Sequence, residues 1–290
     1  LRIIKGKFDK DEDASVERLT FGQAGTGTII TNERSGRFGV YRYDFTSGTI
    51  GEPIFEHLDV DITGVWADRW TGAVDGVEYE TDRTRFHWLD SGLKALQAQL
   101  DRALPANVNE IVSRSRDGSR VLIHSRSSAD PGTWFLFDKA SRRMSPVLSP
   151  FERIDPARMV TMSSLSYKAR DGLGIPAYLT LPLGREAKQL PLIVMPHGGP
   201  FARDSWAFDT FVQFLASRGY AVFQPQFRGS TGYGKSFVEK GYGEWGRAMQ
   251  DDLDDGLDHL VKAGTVDPKR VCIIGASYGG YAALWGAIRN

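Results

Sequence analysis

The chain has 290 residues, about two domains at the usual ~100–200 residues per domain. Thirty-six Lys and Arg balance thirty-six Asp and Glu, which argues against a protein built to coat nucleic acid or an anionic membrane. A composition of 41% hydrophobic and 25% charged residues excludes wholesale disorder, and the single cysteine, Cys272, excludes an internal disulfide or a Cys-rich zinc module.

The chain opens LRIIKGKF, with no initiator Met and no signal-type apolar core, and stops at ALWGAIRN, in the middle of an apolar helical pattern. The expectation is a fragment of a longer protein, whose compartment (cytoplasmic, or periplasmic and secreted) is unreadable. No apolar run approaches the ~18–20 residues a membrane helix needs.

From residue 1 to about 155 the pattern is short β-runs between turn clusters. GTIITNE (27–33) and FGVYRYDF (38–45) are joined by residues 34–37, and RVLIHSRS (120–127) and TWFLFD (133–138) through residues 130–132. A strand end closing on Asp recurs as Arg42-Tyr43-Asp44, Trp88-Leu89-Asp90 and Leu136-Phe137-Asp138, spaced like four-stranded propeller blades of roughly 40–50 residues. This predicts the C-terminal blades of a β-propeller, about three of them, with a β-sandwich as the alternative reading. Leu93, Leu96, Leu100 and Leu104 predict an amphipathic helix between blades. Trp66, Trp70, Trp88 and Trp134 are expected to pack between sheets.

A domain boundary is placed at 155/156, within the turn-rich stretch 146–156, and strand–helix alternation follows. VTMSSLSYKA and IPAYLTLP flank Asp171-Gly172 as a hairpin, and LIVMP (192–196) reads as a buried parallel strand. Phe208, Phe211, Val212 and Leu215 mark one face of a helix ending at Gly219, and AVFQPQF is the next strand. Met249, Leu253, Leu257, Leu260 and Val261 mark a second helix, and RVCIIG (270–275), with Cys272 as a small core residue, a third strand.

Gly275-Ala276-Ser277-Tyr278-Gly279 is a full G-x-S-x-G between a predicted strand and a predicted helix, where the sharp turn exposes a nucleophilic serine. The backbone N–H of Tyr278 then lies where a substrate oxyanion forms. His197-Gly198-Gly199-Pro200 follows LIVMP as a second glycine turn, and the N–H of Gly199 is the expected second oxyanion donor. His197 has the wrong chain order for the general base and is expected to fix the loop. Residues 229–236 satisfy G-x-x-x-x-G-K-[ST], but glycines at 241, 243 and 246 would break the helix that a phosphate loop requires. Asp251, Asp252, Asp254, Asp255 and Asp258 are expected to form a solvated helix face rather than a metal site.

YLTLP (178–182), HGGP (197–200), FRGSTGYGKSF (227–237) and GASYGGYAAL (275–284) resemble the first half of the catalytic domain of prolyl oligopeptidase-family serine peptidases, the acylaminoacyl-peptidase branch above all. SRDGSRVLIHSRSSADPGTWFLFD resembles the propeller strands that precede that domain. The resemblance implies residues 1–155 as propeller blades and 156–290 as an α/β-hydrolase domain cut after the nucleophile elbow. It implies a serine peptidase acting on short peptides, of acylaminoacyl- or dipeptidyl-peptidase type, with no cofactor and no metal. Ser277 is then the nucleophile, and Gly199 and Tyr278 supply oxyanion N–H groups. The family's acid and histidine follow the serine, whereas the thirteen residues after Ser277 include no Asp, Glu or His. Two readings from other classes compete: a nucleotide-binding protein using Gly229, Lys235 and Ser236, and a non-catalytic propeller interaction protein.

A sheet ending at the nucleophile strand also leaves an apolar edge that invites pairing with another chain, so homo-oligomers stay open. A serine hydroxyl is a weak nucleophile until a base takes its proton, and loss of the histidine in a serine protease costs about 2 × 10⁶ in kcat. Residues 1–290 expressed alone are therefore expected to show no turnover of acyl-peptide or dipeptide chromogenic substrates. Turnover abolished by Ser277→Ala would overturn this and assign the base role to His57, His87, His124, His197 or His259.

Overall fold

A computed structural model describes residues 16–21, 25–68 and 70–289. They fall into two compact units, one running to Ala98 and including Gly232–Ser236, the other made of Gln99–Thr231 and the chain from Phe237. In the first unit β1 (Val16–Phe21), β2 (Thr26–Thr31), β3 (Gly39–Asp44) and β4 (Thr49–Phe55) form an antiparallel meander. Then β5 (Ile62–Ala67), β6 (Val74–Glu80) and β7 (Thr84–Trp88) form a three-stranded one. Alternation sorts the side chains by face: Ile30, Val40, Ile62 and Val77 form one cluster, Ile29, Tyr41 and Tyr43 another. Trp66 packs 6.1 Å from Trp88, whereas Trp70 is exposed.

Helix α1 (Ser91–Ala103) follows as its leucine spacing predicts, with Leu93, Leu96 and Leu100 buried. The second unit continues with a third meander: β8 (Val108–Arg114), β9 (Arg120–Ser127), β10 (Asp130–Asp138) and β11 (Arg143–Leu148). The recurring aspartates now have a physical role. Each ends or follows the third strand of its meander and accepts backbone N–H groups of the turn: Thr46 and Ser47 for Asp44, Leu93 for Asp90, Ser141 for Asp138. At Asp90 the capped element is α1.

The chain then builds a five-stranded sheet from β12 (Met162–Lys168), β13 (Gly174–Thr180), β14 (Leu190–Val194), β15 (Ala221–Pro225) and β16 (Val266–Ile273), in the order β12-β13-β15-β14-β16. The predicted hairpin is β12–β13, and β14 is parallel to both neighbours. Helices α2 (Thr210–Ser217), α3 (Lys235–Glu239), α4 (Ala248–Lys262) and α5 (Tyr278–Arg289) lie between and after these strands. No helix among the described residues is long and apolar enough to cross a membrane.

Three sequence expectations are corrected. Phe211 is exposed, because the buried side of α2 is Val212, Gln213, Leu215 and Ala216, and Gln213 there hydrogen-bonds Ser128 and Val160. Cys272 is exposed among the described residues, where it faces an open, mostly apolar groove of about 620 Å³ lined also by Val194, Leu253, Leu257 and Ala283. The aspartates of α4 are not all solvated. Asp255 and Asp251 meet Arg170 near the surface, but Asp252 is fully buried.

Asp252 carries a two-pronged ion pair with Arg228, at 2.9 Å from Nε and 2.7 Å from Nη2, and also accepts the backbone N–H of Arg228 at 2.8 Å. Burial pushes the Asp252 carboxyl up, and these hydrogen bonds oppose that shift. Arg228 Nη1 also donates to the half-exposed Asp171 at 2.8 Å, so removing Asp252 leaves the guanidinium one of its two carboxylates. Asp252→Ala is expected to destabilise the chain by about 1.5–3 kcal/mol in urea unfolding, because Asp171 stays on Arg228; a loss below about 1 kcal/mol would show that Asp171 alone satisfies the guanidinium.

Candidate active site

Four residues, 274–277, carry the chain from the end of β16 to the start of α5. Ser277 sits there at φ 54°, a left-handed conformation that costs a non-glycine residue of order 1–3 kcal/mol. The flanking glycines are set by close backbone approach. A Cβ on Gly275 would lie 2.3 Å from the Gly279 backbone, and one on Gly279 would lie 2.2 Å from the Pro196 carbonyl oxygen. Ser277 is exposed while Tyr278 is buried against Phe227 and Trp245, each 5.2 Å away. Tyr278 is the first residue of α5, so its N–H belongs to the unpaired first turn and lies at the positive end of the helix dipole. Burial raises its phenol pKa above the ordinary value.

The parallel register pairs Val194 with Ile273, and the N–H of Ile274 donates to Val194 O at 2.9 Å. Both strands therefore release their loops at the same edge, where ligands of such sheets bind. A Cβ on Gly198 would lie 3.4 Å from Ser277 Cβ and 4.0 Å from its Oγ, so the glycine turn abuts the serine. Of the sequence-predicted site residues, the fold brings Ser277, Tyr278 and the Gly198-Gly199 turn together.

His197 is buried in this loop. Its ring stacks on Phe227 at 4.3 Å, Nδ1 lies 2.7 Å from Gly198 O, and Nε2 lies 2.8 Å from Ser230 Oγ. Burial and then the charge of Arg203 lower its pKa to about 4, against a hydrogen bond to Gly198 that favours the charged form. The other histidines stack on aromatic rings: His57 on Tyr79, His87 on Phe55, His124 on Trp134 and His259 on Tyr167. Among the described residues, no hydrogen bond joins a histidine to Ser277 Oγ.

The phosphate-loop pattern is filled from within the protein. A helix does begin at Lys235, contrary to expectation, but α3 has five residues. The N–H groups of Gly229, Ser230, Thr231 and Lys235 donate to Phe237 O, Phe227 O, Ala202 O and Gly36 O. The N–H of Gly234 donates to the carboxylate of Asp61 at 3.1 Å. An anion would have to displace a carboxylate and four carbonyls, so the pattern marks a packed turn. No group of three or more His, Cys, Asp or Glu able to hold a metal occurs among the described residues.

Sequence reasoning passed over Ser230, Gln226 and the Arg228–Asp252 pair. Gln226 accepts the N–H of Asp204 at 3.0 Å and donates to its carbonyl at 2.6 Å. The only local signal was a glutamine and an arginine in an otherwise apolar strand end; the partners are more than twenty residues away.

Residues 206–289 match the profile of the Prolyl oligopeptidase family. Dipeptidyl aminopeptidase BIII of Pseudoxanthomonas mexicana is 33% identical across 98% of this chain and 43% of that protein. Acylamino-acid-releasing enzyme 1 of Oryza sativa subsp. japonica is 30% identical across 42% of the chain and 16% of that protein. Among solved structures, a Mycobacterium tuberculosis puromycin-hydrolyzing peptidase superposes with a TM-score of 0.72 at 20% identity, over 95% of this chain and 43% of that one. The chain thus spans less than half the length of the curated relatives it matches.

The elbow's glycines yield a direct test. Gly279→Ala places a methyl against the Pro196 carbonyl and is expected to cost about 1–3 kcal/mol in thermal or urea unfolding, as overpacking does. An unchanged melting temperature would show that α5 can shift away from β14.

Proposed function

We propose, from the premise that this chain belongs to the prolyl oligopeptidase family, that it supplies the nucleophile and oxyanion site of a serine peptidase acting on short peptides. The observation that carries the reading is Ser277 held at positive φ between a parallel strand and a helix, with the Gly198-Gly199 turn against it. In this reading Ser277 Oγ attacks the peptide carbonyl and forms the acyl-enzyme. The N–H groups of Tyr278 and Gly199 bind the oxyanion of each tetrahedral intermediate, and the leaving amine takes the proton that a histidine has removed from the serine. The histidine and its acid partner come from sequence following residue 290, in the order Ser…Asp…His.

The three meanders between residues 16 and 148, each with an aspartate capping the turn or helix after its third strand, support a reading of residues 1–155 as β-propeller blades. Residues 156–290 are then the first half of an α/β-hydrolase domain. Identity with a dipeptidyl aminopeptidase over nearly the whole chain favours release of dipeptides from a free N-terminus over release of acylated residues.

In the complete protein, a fluorophosphonate probe is expected to label Ser277. A dipeptidyl chromogenic substrate is expected to turn over faster than its N-acetylated aminoacyl counterpart, and Ser277→Ala is expected to lower kcat about 10⁶-fold. A folded protein that takes no label would overturn the peptidase reading, and preference for the acetylated substrate would overturn the dipeptidyl assignment alone.

A further inference from the structure

We propose that Gln213 limits the length of peptide this protein admits: with Ser128 it forms a joint that clamps the third meander, β8–β11, onto the catalytic sheet. The proposal rests on the peptidase reading above and concerns a positioning residue that touches no reacting atom. The chain leaves the meander at Leu148 and enters the sheet at Met162, so residues 149–161 are the crossing. A crossing segment alone leaves two bodies free to part unless other contacts bind them.

Here the re-entry point is gripped from two sides. Gln213, on the inward side of α2, accepts the Val160 N–H at 3.0 Å. It donates to Val160 O at 2.7 Å and to Ser128 O at 2.8 Å. A side-chain amide has two N–H hydrogens, so both are committed. Ser128, between β9 and β10, also accepts the Met162 N–H on its hydroxyl at 2.9 Å. Met162 O in turn accepts the indole N–H of Trp206 at 2.8 Å. Ser128, Val160, Met162, Trp206 and Gln213 are all buried.

Helix α2 carries the joint to the sheet, because Val212 and Leu215 pack with Ile193 of β14 and Val222 of β15. At the start of the crossing, Phe151 meets Phe208 at 6.4 Å, and the hydroxyls of Thr133 and Ser149 lie 2.9 Å apart. Direction separates this joint from ordinary packing. An apolar side chain at position 213 would bury similar surface yet leave the meander free to slide, whereas three hydrogen bonds permit one register. Each bond lost also leaves a buried backbone group unpaired. None of these bonds reaches Ser277 or the Gly198-Gly199 turn, so loosening the joint widens the approach and leaves the chemistry alone.

The test uses the complete protein and two substrates with the same N-terminal dipeptide: a dipeptidyl chromogenic amide and a peptide of about thirty residues. Gln213→Leu removes all three bonds, Gln213→Glu keeps the size and the acceptor but loses the donors, and Ser128→Ala removes the Met162 contact alone. One net hydrogen bond is worth about fivefold in an equilibrium constant. The long-to-short ratio of kcat/KM is therefore expected to rise about 5–100-fold in both Gln213 variants and by up to about fivefold in Ser128→Ala. Turnover of the short substrate stays within about twofold, and amide exchange at Val160 and Met162 accelerates. An unchanged ratio in a folded Gln213 variant, or equal losses on both substrates, would overturn the proposal. A rise in Gln213→Leu without one in Gln213→Glu would assign the effect to side-chain volume and overturn it as well. If neither Gln213 variant folds, Ser128→Ala decides by the same ratio; failure of all three assigns the joint to folding and overturns its role in selection. Failure of the peptidase reading is distinguishable, since it appears as a wild-type protein without Ser277-dependent turnover of either substrate.

Discussion

Parallel pairing of β14 with β15 on one side and β16 on the other is the constraint from which the site follows. Three parallel strands release three loops at one edge of the sheet, and the strand order β15-β14-β16 puts the loop of β14 in the middle. That loop is HGGP. It therefore meets the turn after β15 on one flank, through His197 and Ser230, and the elbow after β16 on the other, where Gly198 abuts Ser277. An antiparallel partner at either position would send its loop to the opposite edge. The antiparallel hairpin β12–β13 lies on the far side of β15, where it extends the sheet without interrupting this row.

The elbow's strained serine persists because its surroundings leave little alternative. Gly275 and Gly279 bring strand, helix and the backbone of Pro196 within contacts no larger residue would permit. Behind them, Tyr278 and Ala282 of α5 pack with Met249 and Leu253 of α4 and with Phe227, so rotating the elbow would disrupt a buried cluster. The Arg228–Asp252 pair then ties the Phe227 segment to α4 by hydrogen bonds. A buried ion pair is weak evidence for net stability, because desolvation offsets attraction. Its directionality is what an apolar pair would lack: it fixes the height of the turn that holds Ser230.

Much of this was legible in the residues. Strand LIVMP, the hairpin around Asp171-Gly172, helix α1 and the strand–serine–helix order at Ser277 all rest on short-range patterns, and the fold agrees with each. The expectations that failed depended on what lies across space. Phe211 looks like part of the apolar face of α2, but the side of that helix turned inward carries Val212, Gln213, Leu215 and Ala216. Asp252 looks like one acid among five, but α4 turns that position toward Arg228, twenty-four positions earlier in the chain. His197 pairs with a serine thirty-three residues on, and no periodicity links them.

The G-x-x-x-x-G-K-[ST] stretch shows why such a pattern must be read through its hydrogen bonds. A phosphate loop works because consecutive backbone N–H groups are left pointing at a shared empty space. The same glycines permit a compact turn whose N–H groups find protein acceptors instead, and composition alone does not separate the two outcomes. Here five N–H groups of the stretch have acceptors, one of them the carboxylate of Asp61. Asp61 is itself mostly buried, with its pKa pushed up by burial against the pull of its N–H donors, and it occupies the turn as a resident acceptor. An incoming phosphate would add negative charge beside it and gain no unpaired donor in return. Glycine supplies the shape in both cases, and the partner of each N–H decides whether the shape binds a ligand or holds a fold.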